Sequence, residues 1–416
     1  MLNDLMGYDH GLFSLMDYGD DWRKHRRVFR QHFNPSALTQ YRPIIQHQLS
    51  RFLAFLLDSP DKFHTHCETY MGSVILHITY GYPALVEDDP FIADGEDVLK
   101  AFRISGLPGS FLVDVFPFLK YVPSWFPGAG FKGWAADYRA KETSARHQCF
   151  RYSVDSMRGG SQTTSVASQL ISKFSNDDAS EREEQERVAR NVTFIAYIAG
   201  LDTAHAMSTI FILAMAMYPE AQRTAQKEVD RVIGSGRLPT VDDQEETLYI
   251  QALILELFRW HQVTPLVIPH SITSDIYYDG YTIPKGTIVM GNAWAVLHDP
   301  EVFENPMEFI PERYIKDGKI NTDLPDPSKF VFGFGRRSCP GRHLGLEMLY
   351  MMIVSTLLLF DILPPEDELG NPKKVEATFN DGITYQVENF DCIIRPRSAE
   401  AEAFIRRFNA VETPVV

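Results

Sequence analysis

Cysteine is scarce in this chain, with four in 416 residues, at Cys67, Cys149, Cys339 and Cys392, and no two of them in a CxxC pair. That spacing excludes a disulfide framework and a zinc knuckle, and it fits a reducing compartment. Positive charge is short as well. Lys and Arg number 40 against 55 for Asp and Glu, a formal net charge of -15, which argues against nucleic acid as a partner. The opening residues, MLNDLMGYDHGLF, lack the basic start and the apolar run of a signal peptide. Internal repeats, low-complexity blocks and an interdomain linker are missing too, so one large domain is expected. The most membrane-like stretch, residues 191–218, carries Asp202 and His205 near its middle, and residues 349–360 are too few to span. Buried helices, and no transmembrane segment, are expected from both.

Apolar residues make up 44% of the chain, enough for a sizeable core. They recur at helical spacing in residues 48–57, 72–78, 203–217 and 249–260. Strand-like stretches gather late, at 276–289 around the turn Tyr278-Asp279-Gly280 and at 383–394. Residues 161–180 and 364–374 are polar and loop-like, and the charged tail after Pro396 has little to hold it. The fold class expected is mainly α with small β-sheets (α+β).

Chemistry concentrates at one cysteine. In FVFGFGRRSCPGRHLGLEM, Cys339 sits among glycines and arginines, and Pro340 is placed to open an apolar helix reaching Phe360. A sulfur at a helix N-terminus feels the positive end of the dipole, and Arg336 and Arg337 add charge, so a depressed thiol pKa is expected. Gly333, Gly335 and Gly341 let backbone amides approach the sulfur and leave room for a flat ligand. A phosphatase-type cysteine needs an arginine closing a short cradle, yet the sixth residue beyond Cys339 is Gly345. GFGRRS starts like a dinucleotide loop, but Ser338 holds its sixth position and no fitting strand with an acid follows. A buried structural cysteine is the commonest role for a lone thiol; the surrounding glycines and arginines count against it here. A nucleophile or a metal ligand remains.

The string Phe332, Gly335, Arg337, Cys339, Gly341 fits FxxGxRxCxG and resembles the haem-ligand signature of the cytochrome P450 family. The resemblance implies that Cys339 is the axial ligand of haem b (iron protoporphyrin IX), its electron-rich thiolate favouring O–O cleavage. Further family features lie upstream. Glu256 and Arg259 form ExxR at a helical spacing, and the resemblance adds Arg313 from FIPERY to a structural cluster with them. Ala199-Gly200-Leu201-Asp202-Thr203 is similar to the oxygen-activation segment. Small residues there would let a ligand approach, the Thr203 hydroxyl can bond a backbone carbonyl and open the helix locally, and Asp202 with Thr203 would relay protons. Ala204 departs from the many relatives that carry a second hydroxyl at that point. Trp22 and Arg26 form WxxxR on a basic helix and face inward toward a propionate, with Lys24, Arg27 and Arg30 outward. Arg337 and His270 are further propionate candidates, and Phe332 and Gly341 complete the cofactor-binding set. His298 and Asp299 read as scaffold.

Residues 280–314 are similar to fungal, reductase-dependent members, and the resemblance covers nearly the whole chain. Residues 1–398 are expected to form the haem domain and 399–416 a loosely ordered tail. WxxxR begins at residue 22, so the anchor and first sheet strands of such members are expected to be absent, leaving exposed strand edges near 265–269 and 287–290. The implied reaction is hydroxylation of an apolar small molecule with O2. Its electrons would come from NADPH through a flavoprotein reductase, at the cytoplasmic face of the endoplasmic reticulum with at most peripheral membrane contact, in secondary or xenobiotic metabolism. Segments expected to line the pocket are 107–117, 195–203, 264–268 and 381–384. Competing readings are a haem-thiolate isomerase or dehydratase, a truncated remnant that binds haem poorly, and an apolar-ligand binding protein, which would leave the cysteine motif without purpose.

Overall fold

A computed structural model describes residues 1–85, 88–234 and 236–411. Ten helices organise it: α1 (Asp20–Phe33), α2 (Arg42–Asp58), α3 (Phe63–Tyr80), α4 (Pro90–Ser105), α5 (Gly130–Arg158), α6 (Ala179–Met217), α7 (Pro219–Val232), α8 (Leu248–Trp260), α9 (Arg342–Leu359) and α10 (Ala399–Val411). α6 starts where the Asp178 carboxylate caps the amides of Ser180 and Glu181, and continues through an apolar sequence that packs on α3. Both α6 and α9 are long and apolar enough to cross a membrane, and most of each apolar stretch is buried inside protein. Near the middle of α6, Asp202 is buried and His205 is half-buried.

The strands among the described residues pair only in antiparallel twos: β1 (His270–Ser271) with β4 (Ile288–Val289), β2 (Ile276–Tyr278) with β3 (Tyr281–Ile283), β5 (Ile315–Lys316) with β6 (Lys319–Ile320), β8 (Thr378–Phe379) with β9 (Val387–Asn389), and β10 (Ile393–Pro396) with β7 (Phe360–Leu363). The β2–β3 hairpin turns at Asp279 (φ 47°) and Gly280 (φ 79°), the positive-φ pair that an Asp-Gly hairpin supplies. Ile288, Val289 and Met290 are exposed.

Three expectations are corrected. Residues 383–394 do not alternate as one strand, because residues 380–386 fold back as a loop, with Gln386 N donating to the Asn380 side chain and Tyr385 N to Val263 O. α9 begins at Arg342 after a turn at Pro340 and Gly341. The expected loose tail is a helix through Val411, α10, which buries Phe404 and Ile405; residues 412–416 lie outside the described residues. One apolar cluster runs from Met6 to Ile405, and a small second cluster lies beneath α8.

Candidate active site

Cys339 lies just before α9. Its amide donates to Phe332 O at 2.7 Å, folding the loop over Gly333 (φ 71°) and Gly335 (φ 56°), where a side chain would be strained. Backbone N–H groups of Gly341 and Arg342 point at the sulfur. The expected depressed thiol pKa is not found. Burial pushes the Cys339 thiol up, and the two amides, Arg26 and Arg342 pull it down less strongly. Arg336 lies over the Tyr18 ring, 4.8 Å from its centroid. A coordinating metal ionises such a thiol outright.

The helix carrying WxxxR meets this loop. Trp22 is buried, Arg26 is half-buried with Nη2 donating to Ser338 O at 2.6 Å, and Lys24, Arg27 and Arg30 are exposed. Arg337 lies 4.8 Å over the Trp22 ring and donates to the carbonyls of Ser14 (3.3 Å) and Met16 (2.7 Å). His270 is exposed on β1; partial burial and then the Arg337 charge hold its pKa down. Phe332 packs edge-on against Phe258 of α8 at 5.4 Å.

On α6, Ala199 and Thr203, one turn apart, are exposed while Ile198, Leu201, Asp202 and Ala206 around them are buried. The Thr203 hydroxyl donates to Ala199 O at 2.8 Å, as the sequence suggested. The expected local opening is not seen. α6 continues unbroken, since a carbonyl has a second lone pair to offer the hydroxyl. Gly200 serves a different purpose from the one expected of it: a Cβ there would sit 3.1 Å from Ile75 of α3, so its small size admits a neighbouring helix.

Asp202 is buried and ion-paired with Arg103 of α4 at 2.5 Å, and Gln386 Nε2 donates to the same oxygen at 2.5 Å. Burial raises its pKa, and Arg103 opposes the rise. Neither partner was found from sequence. Arg103 is the basic residue in the last turn of α4, and no motif marks it. Ile383 and Thr384, in an expected pocket segment, are buried beside that helix end, whereas Leu112, Val115 and Phe116 of another are exposed.

Behind the cysteine loop, Glu256, Arg259 and Arg313 come together. Arg259 donates through Nε and Nη2 to both Glu256 oxygens at 2.8 Å, and Arg313 Nε reaches Glu256 at 3.2 Å. Arg259 also bonds the carbonyls of Leu297, Pro306 and Glu308. Both side chains of the central pair are fully buried, and these extra hydrogen bonds are what a buried pair requires. His298 stacks on Trp294 and bonds its carbonyl.

The residues present fit a haem. A sulfur receiving two backbone amides, a cationic pair around Trp22, and an uncovered strip of small residues on a core helix are the donor set and the clearance that a flat anionic iron porphyrin needs. The cytochrome P450 family model matches residues 2–386. The chain is 42% identical over 405 residues to cytochrome P450 monooxygenase COX2 of Coprinopsis cinerea, covering 97% of this chain and 77% of that protein. It is 38% identical over 398 residues to cytochrome P450 monooxygenase COX1 of the same fungus, covering 95% and 77%. It is also 38% identical over 402 residues to tryptamine 4-monooxygenase of Psilocybe cyanescens, covering 96% and 78%. With a cysteine loop, a buried ExxR cluster and these relatives in agreement, the chain belongs to the cytochrome P450 family and is a haem-dependent monooxygenase.

Proposed function

We propose that this monooxygenase hydroxylates an apolar small molecule, using O2 and electrons passed from NADPH by a flavoprotein reductase. The observation that carries the reading is the Cys339 sulfur, held between backbone amides at the start of α9. Haem held there by Cys339 would supply the redox-active iron that O2 activation needs. The chain's own residues do the rest. Arg26 ties α1 to the cysteine loop through Ser338 O; Arg26 and Arg337 supply positive charge for propionates, and His270 a ring N–H donor. Thr203 presents its hydroxyl oxygen on the uncovered side of α6 and can pass a proton there, with buried Asp202 as the source.

The electron donor docks on the face bearing the exposed Arg23, Arg27 and Arg30, where an acidic surface on the partner complements the arginines. We place the protein at the cytoplasmic face of the endoplasmic reticulum, in peripheral contact through the exposed Leu112, Phe118, Tyr121 and Trp125. Secondary metabolism as its setting follows the character of the fungal relatives.

The test is the absorption spectrum of the reduced, carbon monoxide-treated protein. A thiolate-ligated band is expected in the wild type and is lost in Cys339→Ala. Absence of haem uptake by the wild type would sink the reading, and product formed without O2 and NADPH would point to isomerisation or dehydration.

A further inference from the structure

Arg103 touches two carboxylates. Its Nη1 lies 2.5 Å from Asp202 on α6 and its Nη2 lies 2.8 Å from Glu96, two turns back on α4. Side-chain exposure falls from 31% at Glu96 through 16% at Arg103 to 3% at Asp202, so the bridge runs from near solvent to a buried acid. One guanidinium cannot neutralise both carboxylates, and the charge left over acts on everything near it. Glu68, on α3, has its pKa pushed up to about 7 by burial and then by Glu96. At Asp202 burial raises the pKa, Arg103 lowers it, and Glu96 raises it again. His205 of α6, with His64 of α3 beside it, is kept neutral by burial. From the 380–386 loop the groups facing Asp202 are the uncharged Gln386 and Thr384.

We propose that Glu96 is a positioning residue for oxygen activation, acting through Arg103 to set how readily Asp202 holds and releases a proton. The proposal rests on Asp202 being the proton source for Thr203. While Glu96 is charged it takes a share of Arg103, and Asp202 keeps its proton at a pH where a fully paired carboxylate would have lost it. When the proton leaves the Asp202 carboxyl toward the Thr203 side, the carboxylate left behind is received by the guanidinium already touching it. Solvent on the Glu96 side returns the proton. No electrons move at these residues, and the guanidinium stays protonated throughout.

The test follows the carboxylic acid C=O stretch of Asp202 against pH in the holoenzyme, the band being assigned by its loss in Asp202→Asn. In Glu96→Gln the band should vanish at lower pH than in the wild type, because Arg103 then serves Asp202 alone. In Arg103→Gln it should persist to higher pH, because the cation is gone. Glu96→Asp should restore wild-type behaviour. General loosening of the bridge would move both variants the same way, and that result, or an unmoved band in Glu96→Gln, overturns the proposal. Product formed per O2 consumed should fall at alkaline pH in Glu96→Gln before it falls in the wild type. If the bands move as expected while Asp202→Asn remains fully coupled, the tuning stands and the donor role of Asp202 fails. If Asp202→Asn is uncoupled and neither bridge variant moves the band, the donor role stands and the tuning fails.

Discussion

Thr203 stands open in the middle of a helix whose other residues are mostly enclosed, with its hydroxyl hydrogen committed to the Ala199 carbonyl. Its oxygen is the part still free to accept a proton or order a water. Thr203→Ala is expected to keep the thiolate-ligated spectrum and to divert O2 from product, lowering coupling about 100-fold, the low side of what a positioned acid or base contributes. Stopped-flow and product analysis would check it, and unchanged coupling would remove Thr203 from the relay. Two half-buried histidines lead to a different measurement. His205 and His261 have pKa values lowered by burial to about 4, against about 6.5 in an unfolded chain. The unfolded state therefore binds protons first on acidification. Their contribution to stability is whole above pH 6.5 and is lost as the pH falls toward 4, by about 3 kcal/mol each. His261 sits against Phe379 and Tyr385, with ring centroids 5.0 Å away in each case. His261→Phe should flatten the loss of stability between pH 6.5 and 4 in denaturant titrations, whereas an unchanged slope would mean that this histidine protonates in the folded state. At this scale the sequence was legible where chemistry sits in one short string, as around Cys339. It was silent on Arg103, which lies 99 residues from Asp202 and becomes its partner only once α4 crosses α6.

Helix contacts decide how firmly these residues are held. The Glu256 carboxylate accepts from Arg259, Arg313 and the amide of Ile310. Glu256→Ala would leave two guanidiniums and an amide without their acceptor, a loss of roughly 3–5 kcal/mol for a broken buried pair, seen as a lower denaturation midpoint and reduced haem content. α4 approaches α6 at Gly95, where a Cβ would fall 2.1 Å from the Tyr197 hydroxyl, which itself bonds Phe91 O. Gly95→Ala should push the helices apart, and oxygen coupling should suffer more than haem binding, because Arg103 and Glu96 ride on α4. Spectral titration alongside turnover would separate the two effects. Sequence foretold the elements whose signals are local, such as the Asp279-Gly280 hairpin and the apolar spacing of α8. α10 escaped because its residues read as charged and polar, and its helix is fixed by burying Phe404 and Ile405 against the body of the protein. The 380–386 loop escaped for a related reason: its alternating residues bond Asn380 and Val263 in place of a neighbouring strand.

Across the whole molecule, a net charge of -15 coexists with an arginine-rich face on α1. Attraction of an acidic redox partner to that face is expected to weaken with salt. Arg27→Glu together with Arg30→Glu should raise the reductase concentration needed for half-maximal turnover at low salt, with little change at high salt and no change in the haem spectrum. Equal loss at both salt concentrations would place the docking surface elsewhere.

The inward side of α1, where Arg337 covers Trp22, hides a dependence that no motif reveals. Arg337 is held by the carbonyls of Ser14 and Met16, so the strand of chain ahead of α1 acts as a splint for the cysteine loop. A recombinant version starting at Asp20 would keep every signature residue and still lose that splint. Its carbon monoxide spectrum is expected to drift toward the form in which the thiolate bond is lost, and an unaltered, stable spectrum would show that Arg337 finds its place without those carbonyls.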